Sequence, residues 1–452
     1  MIETIHTVAA FVIAIALLIA VHEFGHFIVA RKLGIKVEKF SIGFGPALFS
    51  WHSKDREVLY VIAAIPLGGY VKMLGENPDE QGNGARQELS EEDKLRAFDA
   101  QPIWKRACVA IAGPGFNFLF AIVTYMLVGW LGQSVLPPIV GHVAPASVAE
   151  QAGFVSDDKI IAMNGGPIHS WQQMEDRFKD AVGQPLAIQV ERGGGIEVLH
   201  VKVPVPRKDP LLLDVASEVL GIDPGMHVLV AEVMTDAPAA KAGLKPGDVV
   251  LQVQDAAVAS IGGFIRQVRA HAGQPVIMNV RRGREMLSLA ITPESDDKGR
   301  GRIGARMMAK PLYPLIVYRM GPLEGLKHGF TRTWEVTALT FQVLGKMLTA
   351  AISPRNLGGP IAIAQIAGKT AALGFVAFIS FLALISVNLG VLNLLPVPVL
   401  DGGHLLYLSI EKVRGTPLSP RMMERTQMVG MVLIAALMIF AFYNDIARWL
   451  GG

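Results

Sequence analysis

One cysteine, Cys108, is all this chain contains, so no internal disulfide can brace it. It sits in an apolar stretch and reads as a small packed hydrophobe. Charge is also scarce: 18% of residues are Asp, Glu, Lys or Arg, and the net charge is +3. That balance gives no basic surplus of the kind a nucleic-acid partner requires, so none is expected. No Lys or Arg precedes Arg31. The basic n-region of a signal peptide is therefore missing, and the N-terminal apolar run reads as a retained membrane anchor. What the chain has in quantity is apolar residues, 51%, and 47 glycines. With length enough for two or three domains, this fits a mixture of membrane-embedded and soluble parts.

Four apolar segments are long enough to cross a bilayer, at about 5–30, 106–132, 373–395 and 427–447. A fifth apolar stretch, Val336 to Leu344, is too short and is flanked by Arg332, Glu335 and Lys346. Leu323, Leu326, Phe330, Trp334 and Leu339 fall on one helical face there, which predicts an interfacial amphipathic helix within 320–355. Basic residues set the orientation. Arg31, Lys32, Lys36 and Lys39 follow the first span, and Lys94, Arg96, Lys105 and Arg106 precede the second. Lys412, Arg414, Arg421 and Arg425 lie between the third and fourth. Both loops are expected in the cytoplasm, with both termini and the long central insert outside.

The first span ends in Val21-His22-Glu23-Phe24-Gly25-His26-Phe27. His-Glu-x-x-His on a helix puts two imidazoles one turn apart on one face, where both can hold one zinc ion, and the adjacent glutamate can reach a zinc-bound water. Ionisable side chains in an apolar span cost about 2.5–3.5 kcal/mol each at a helix centre, so they mark function. The third span ends on the same side, in Leu392-Asn393-Leu394-Leu395-Pro396-Val397-Pro398-Val399-Leu400-Asp401-Gly402-Gly403-His404. The prolines break the helix and the glycines allow a tight turn. Asp401 matches the histidines in depth and side and reads as the third ligand; the alternative is that it caps a helix at 403–413. A membrane-crossing fifth segment would put Asp401 on the opposite face, so the metal reading excludes one.

The insert contains an internal repeat. Ser147-Val148-Ala149-Glu150-Gln151-Ala152-Gly153-Phe154-Val155-Ser156-Asp157-Asp158 returns as Ala237-Pro238-Ala239-Ala240-Lys241-Ala242-Gly243-Leu244-Lys245-Pro246-Gly247-Asp248. Each copy leads into short alternating strands and one helix. The pattern A-x-x-A-G-L-x-x-G-D resembles the PDZ domains of bacterial proteases, which implies tandem modules at about 134–207 and 221–307. Asp157 stands where glycine is expected, so the first loop is expected to differ. The resemblance implies peptide capture at a sheet edge, with Ala242, Gly243 and Leu244 near the groove. The alternative is a bulky gate that excludes large extracytoplasmic domains.

The His-Glu-x-x-His of the first span, the tandem modules and the Asn393-x-x-Pro396-x-Pro398-x-x-Asp401-Gly402 run together resemble the site-2 protease family of intramembrane zinc metalloproteases, over nearly the whole chain. The resemblance implies one zinc per chain on His22, His26 and Asp401, with Glu23 as catalytic base and Asn393 helping to hold substrate. Gly113-Pro114-Gly115-Phe116-Asn117-Phe118 is similar to the family's G-P-x-x-N-F element. Residues 56–73 read as a β-hairpin turning at Pro66-Leu67-Gly68-Gly69. The family's membrane-re-entrant β-loop makes it a candidate substrate edge, through Gly68, Gly69, Tyr70 and Val71, or else a shield from lipid.

The expected fold is a polytopic α-helical membrane protein of four transmembrane helices, with a cytoplasmic-side membrane-associated β-hairpin and two extracytoplasmic α+β PDZ domains. Its core halves are 1–132 and 370–452. The resemblance implies a bacterial inner membrane location, with the PDZ domains and both termini periplasmic. It implies cleavage of single-span membrane proteins within the bilayer: an anti-sigma factor after a first extracytoplasmic cut, in regulated proteolysis of the envelope stress response, and remnant signal peptides. Two rival readings exist. A membrane-anchored PDZ scaffold with a non-catalytic zinc site predicts that Glu23 is dispensable. A zinc transporter predicts ionisable residues spread through the spans, whereas here they gather at one level.

Overall fold

The computed structural model describes residues 2–76, 90–207, 210, 213–296, 299–349 and 358–451. The chain divides into two compact units, residues 1–133 with 319–452, and residues 134–318.

The first unit begins with helix α1 (Ile2–Lys32), whose last turn carries Arg31 and Lys32 where cations favour the helix dipole. Two long strands follow, β1 (Val37–His52) and β2 (Leu59–Met73), then the short helix α2 (Glu91–Arg96) and α3 (Ile103–Leu131). The second unit contributes α4 (Val148–Gln151), α5 (Trp171–Asp180), α6 (Pro238–Lys241) and α7 (Ile261–Ala270). The first unit resumes with α8 (Pro322–Leu348), α9 (Pro360–Leu373), α10 (Phe375–Asn393), α11 (Asp401–Arg414) and α12 (Pro420–Gly451).

Among the described residues, four helices are long and apolar enough to cross a membrane: Glu3–Lys32, Ile103–Leu131, Phe375–Asn393 and Arg421–Ala447. Small residues bring them together. A Cβ on Gly25 of α1 would lie 2.4 Å from the Ala112 carbonyl of α3, and one on Gly368 of α9 would lie 2.4 Å from Thr7 Oγ1 of α1. Such close approach is how apolar helices associate where lipid offers no hydrophobic drive. The N-terminus of α9 is tied to α12: Asp445 accepts from Gly359 N at 2.9 Å, Ile361 N at 3.0 Å and Ala362 N at 3.1 Å.

α8 forms where the sequence reads an amphipathic helix, and the face opposite its exposed apolar residues is packed. Its small-residue face packs on α3: a Cβ on Gly325 would meet Trp130 at 2.4 Å, and one on Gly329 the Ile122 carbonyl at 2.5 Å. Leu344 packs in a cluster with Phe118 and Val387, and Thr340 Oγ1 donates to Asn388 Oδ1 at 2.8 Å. α8 therefore runs alongside α3 and reaches α10, while Leu323, Phe330 and Trp334 stay exposed. Residues 350–355 of the expected 320–355 region lie outside the described residues. Cys108 is exposed on α3 rather than packed.

The hairpin also needs correction. β2 runs unbroken through Pro66–Gly69, and its partner is β1, which the sequence reading missed. One edge of β1 pairs antiparallel with the end of β2 (Phe40 with Val71, Ile42 with Gly69). The same residues also pair with its beginning (Phe40 with Tyr60, Ile42 with Ile62), the two chains advancing together. The tight reversal lies at 53–58, where Ser53 N donates to Val58 O at 2.9 Å. Gly43 and Gly45, at φ of +94° and +86°, let β1 turn so that both its halves flank β2. Glycines in place of alternating side chains hid this strand.

The second unit holds two copies of one α+β module. The first has strands ordered 166–167, 159–163, 185–192, 195–202; the second has 285–291, 276–282, 249–253, 226–233, 305–311. Each copy is closed by a late strand returning to its first one: 222–224 pairs with 140–143, and 305–311 with 226–233. Val215, Ala216, Leu220 and Ile222 are fully buried in the first core. The first module thus extends to Pro224 and the second to Pro311, beyond the expected ends at 207 and 307. The closing strands lie past polar stretches where apolar alternation lapses.

The repeat motif is structural. Arg192 grips Asp158 (Nε–Oδ1 2.7 Å) and the Gly153 carbonyl, as Arg282 grips Asp248 (Nε–Oδ1 2.7 Å) and the Gly243 carbonyl. Leu244 is core, and Gly243 holds a turn at φ +81°. The Ala242-Gly243-Leu244 segment therefore braces the module rather than offering a groove edge. Asp157, at φ +72°, makes the same turn as Gly247 at +91°, each donating its N–H at 2.8 Å to a strand carbonyl (Val140 or Val230). The two loops do not differ as expected. Tyr313 donates a hydrogen bond to Asp157.

Candidate metal centre

Helical spacing in α1 sets His22 and His26 on one face, their Nε2 atoms 3.2 Å apart. Asp401 arrives from the break after α10. The chain leaves the helix at Asn393 and re-enters one at Asp401, through a turn so close that a Cβ on Gly402 would lie 2.2 Å from the Leu395 carbonyl and one on Gly403 2.4 Å from that of Val397. Val399 holds φ +92°, a region a β-branched residue rarely adopts, so the turn stores strain beside the site. The N-cap position of α11 falls to Leu400, and its first residue is Asp401. Its Oδ2 lies 3.1 Å from His22 Nε2 and its Oδ1 3.3 Å from His26 Nε2, with the three side chains 17%, 10% and 12% exposed.

The donor set fits a cation. Two imidazole nitrogens and a carboxylate oxygen lie within 4.8 Å of one another, the chemistry of a catalytic zinc site that keeps a fourth position open. His26 Nδ1 lies 2.8 Å from the Val109 carbonyl, which can only accept, so Nδ1 carries the hydrogen and Nε2 offers a lone pair toward Asp401. Gly113 of α3 completes the cradle. A Cβ there would sit 2.2 Å from His26 Nε2 and 2.7 Å from His22 Cε1.

Glu23 follows His22 on α1, and a Cβ on Gly69 would fall 2.8 Å from its Cγ, so β2 lies against it. The other sequence-predicted residues divide. Asn393 reaches the site, its Nδ2 3.3 Å from His22 Nε2. Gly68 faces the Phe44 ring, and Tyr70 stacks on Phe44 with Lys39 over its own ring. Val71 is buried in the cluster of Phe27, Phe40 and Val109, so its side chain is core, not contact surface. Sequence reasoning missed the part of α3. Val109, Gly113 and Asn117 all touch the histidines, and the last two lie within the Gly113–Phe118 element.

Two helix-borne histidines, a carboxylate from a broken helix and an adjacent glutamate, set among helices of membrane-crossing length, define a membrane zinc-peptidase class. The chain belongs to peptidase family M50, whose profile matches residues 10–437. It is 38% identical over 463 residues to Protease RseP of Yersinia pestis, covering 99% of this chain and 100% of that one. It is 37% identical over 465 residues to Regulator of sigma-E protease RseP of Escherichia coli (strain K12), with the same coverage of 99% and 100%. A Ralstonia nicotianae relative named as a zinc metalloprotease is 38% identical, covering 98% of each chain. Among solved structures, the PDZ domain of the SdrC-like protein of Listeria monocytogenes is 29% identical, covering 18% of this chain and 86% of that one, with a TM-score of 0.17. Membership of family M50 makes the protein a peptidase, and four of its described helices are long and apolar enough to cross a membrane.

Proposed function

We propose that this chain is an intramembrane endopeptidase of the site-2 type that hydrolyses transmembrane segments of single-span proteins. The observation that carries the reading is the convergence of His22, His26 and Asp401 beside Glu23 in a unit of membrane-length helices. One zinc per chain would be held by those three side chains, lowering the pKa of its water towards about 7 and polarising the scissile carbonyl. Glu23 takes the proton from the attacking water and returns it to the leaving amine. Asn393 steadies the substrate carbonyl beside His22.

A membrane helix resists hydrolysis because its peptide groups are locked in internal hydrogen bonds. Residues 69–73 pair with β1 along one edge, and Gly69 abuts Glu23. An unwound substrate segment adds to the free edge at Gly68–Tyr70 through backbone hydrogen bonds. The basic loops lie in the cytoplasm, the PDZ pair and both termini in the periplasm, and the enzyme in a bacterial inner membrane. The relatives named as regulators of sigma-E tie that family to sigma-E control, and on this reading the substrates are an anti-sigma factor and remnant signal peptides, both of single-span form. The PDZ pair withholds substrates whose outer domain is still uncut.

The test is cleavage of a tagged single-span substrate by purified protein, with the substrate's outer domain full-length or truncated. The truncated form is cleaved, a zinc chelator stops the reaction and added zinc restores it. Equal cleavage of the full-length form removes the filtering role, and cleavage unaffected by chelation removes the zinc mechanism.

A further inference from the structure

We propose that Asn117 is a positioning residue that decides which ring nitrogen of His22 faces the metal. The proposal rests on reading His22, His26 and Asp401 as a zinc site. Asn117 lies in α3 with no solvent exposure, and its backbone carbonyl is pinned by Ser386 Oγ of α10, which donates at 2.9 Å. Its Nδ2 is 3.0 Å from His22 Nδ1, while its Oδ1 has no hydrogen-bond partner among the described residues. Asn393 is the more distant amide, 3.5 Å from the same nitrogen.

The two histidines are thus held in different ways. His26 meets a backbone carbonyl, which fixes one tautomer. His22 meets an amide with a donor at one end and an acceptor at the other. With Nδ2 toward the ring, Nδ1 accepts and the hydrogen sits on Nε2, 3.1 Å from Asp401 Oδ2. With the amide turned about Cβ–Cγ, Oδ1 accepts from Nδ1–H and Nε2 presents its lone pair beside that of His26. Only the second arrangement lets both imidazoles and Asp401 serve one ion. Asn117 supplies the acceptor it needs, from a fully buried position.

The experiment uses full-length purified protein and zinc, with affinity read by chelator competition and folding by thermal melting. Asn117→Leu keeps the volume and loses the acceptor, and zinc affinity falls by about 10–100-fold, the usual cost of losing a partner that orients a ligand. Asn117→Asp keeps an oxygen at the same point and stays close to wild type. Equal losses in both variants, following the melting temperature, would mean a packing role and overturn the proposal, as would wild-type affinity in Asn117→Leu. A third measurement needs no variant at position 117: ¹⁵N-histidine NMR of the zinc-loaded wild type shows the hydrogen of His22 on Nδ1, and zinc on Nδ1 instead refutes the assignment. Wild type that binds no zinc overturns the underlying metal reading and this proposal together. Normal binding by wild type and both variants overturns this proposal alone.

Discussion

Gly113→Ala adds a single methyl to α3, and the structure says where it goes. The new Cβ would stand 2.2 Å from His26 Nε2 and 2.7 Å from both His22 Cε1 and His26 Cε1. Relief to ordinary contact requires a movement of about 1 Å by the ring or the helix. His26 cannot swing freely, because Nδ1 is held at 2.8 Å by the Val109 carbonyl of the same helix that carries the methyl. Zinc sites tolerate ligand displacements of only about 0.2 Å, and misplacement by about 1 Å costs on the order of 100-fold in rate. Zinc affinity and proteolysis should each fall by about 100-fold or more. Stability should change by far less than function, since the helix preference for Ala over Gly, about 1 kcal/mol, offsets part of an overpacking cost of about 1–3 kcal/mol. Gly115→Ala is the control on the same helix: its Cβ meets nothing within 4 Å, and both quantities should stay at wild-type level. Zinc titration, a cleavage assay and thermal melting on the three proteins decide the matter. Full zinc affinity in Gly113→Ala, or an equal loss in Gly115→Ala, would refute the reasoning.

Two further predictions concern carboxylates that are not metal ligands. Burial opposes ionisation of Asp248, but the Arg282 guanidinium and the Lys245 amide more than offset it and hold the carboxyl below its usual range. Because the folded value is depressed, this stabilisation is complete at neutral pH and is lost as pH falls below about 4, the ordinary carboxylate value. Stability of the second PDZ-like module, read from hydrogen-exchange protection after correction for the intrinsic pH dependence of amide exchange, should therefore stay flat down to that pH and then fall. Arg282→Met should lower it at pH 7 and remove the acid-dependent loss; a pH-independent profile in wild type would contradict this. Asp445→Ala strips three backbone amides at the start of α9 of their acceptor. It should destabilise the membrane unit by about 2 kcal/mol in detergent melts, and Asp445→Asn by less, because the amide oxygen still accepts.

The parts legible in the sequence are those written in local spacing. The four-residue spacing of His22 and His26 fixes a shared helical face, and prolines 396 and 398 announce the break that delivers Asp401. The four long helices follow from uninterrupted apolar length. What depends on packing between distant segments could not be read. Val109 and Asn117 act only because α3 lies against α1, and neither apolar periodicity nor spacing says which carbonyl or amide will meet a histidine. β1 was hidden because glycines interrupt its alternation and its partner lies on both sides. The ends of the two modules were missed for a related reason, their closing strands being separated from the cores they complete. At Gly243 and Leu244 the pattern was visible but its meaning was not: a turn glycine and a core leucine look the same in sequence as residues lining a groove.

The most direct test of the central claim is zinc content and proteolysis measured on the same preparations of wild type and Glu23→Gln. Glu23 is not among the three converging ligands, so both proteins should carry equal zinc, one per chain, and only wild type should cleave a single-span membrane substrate. Cleavage by zinc-loaded Glu23→Gln at the wild-type rate would contradict the account.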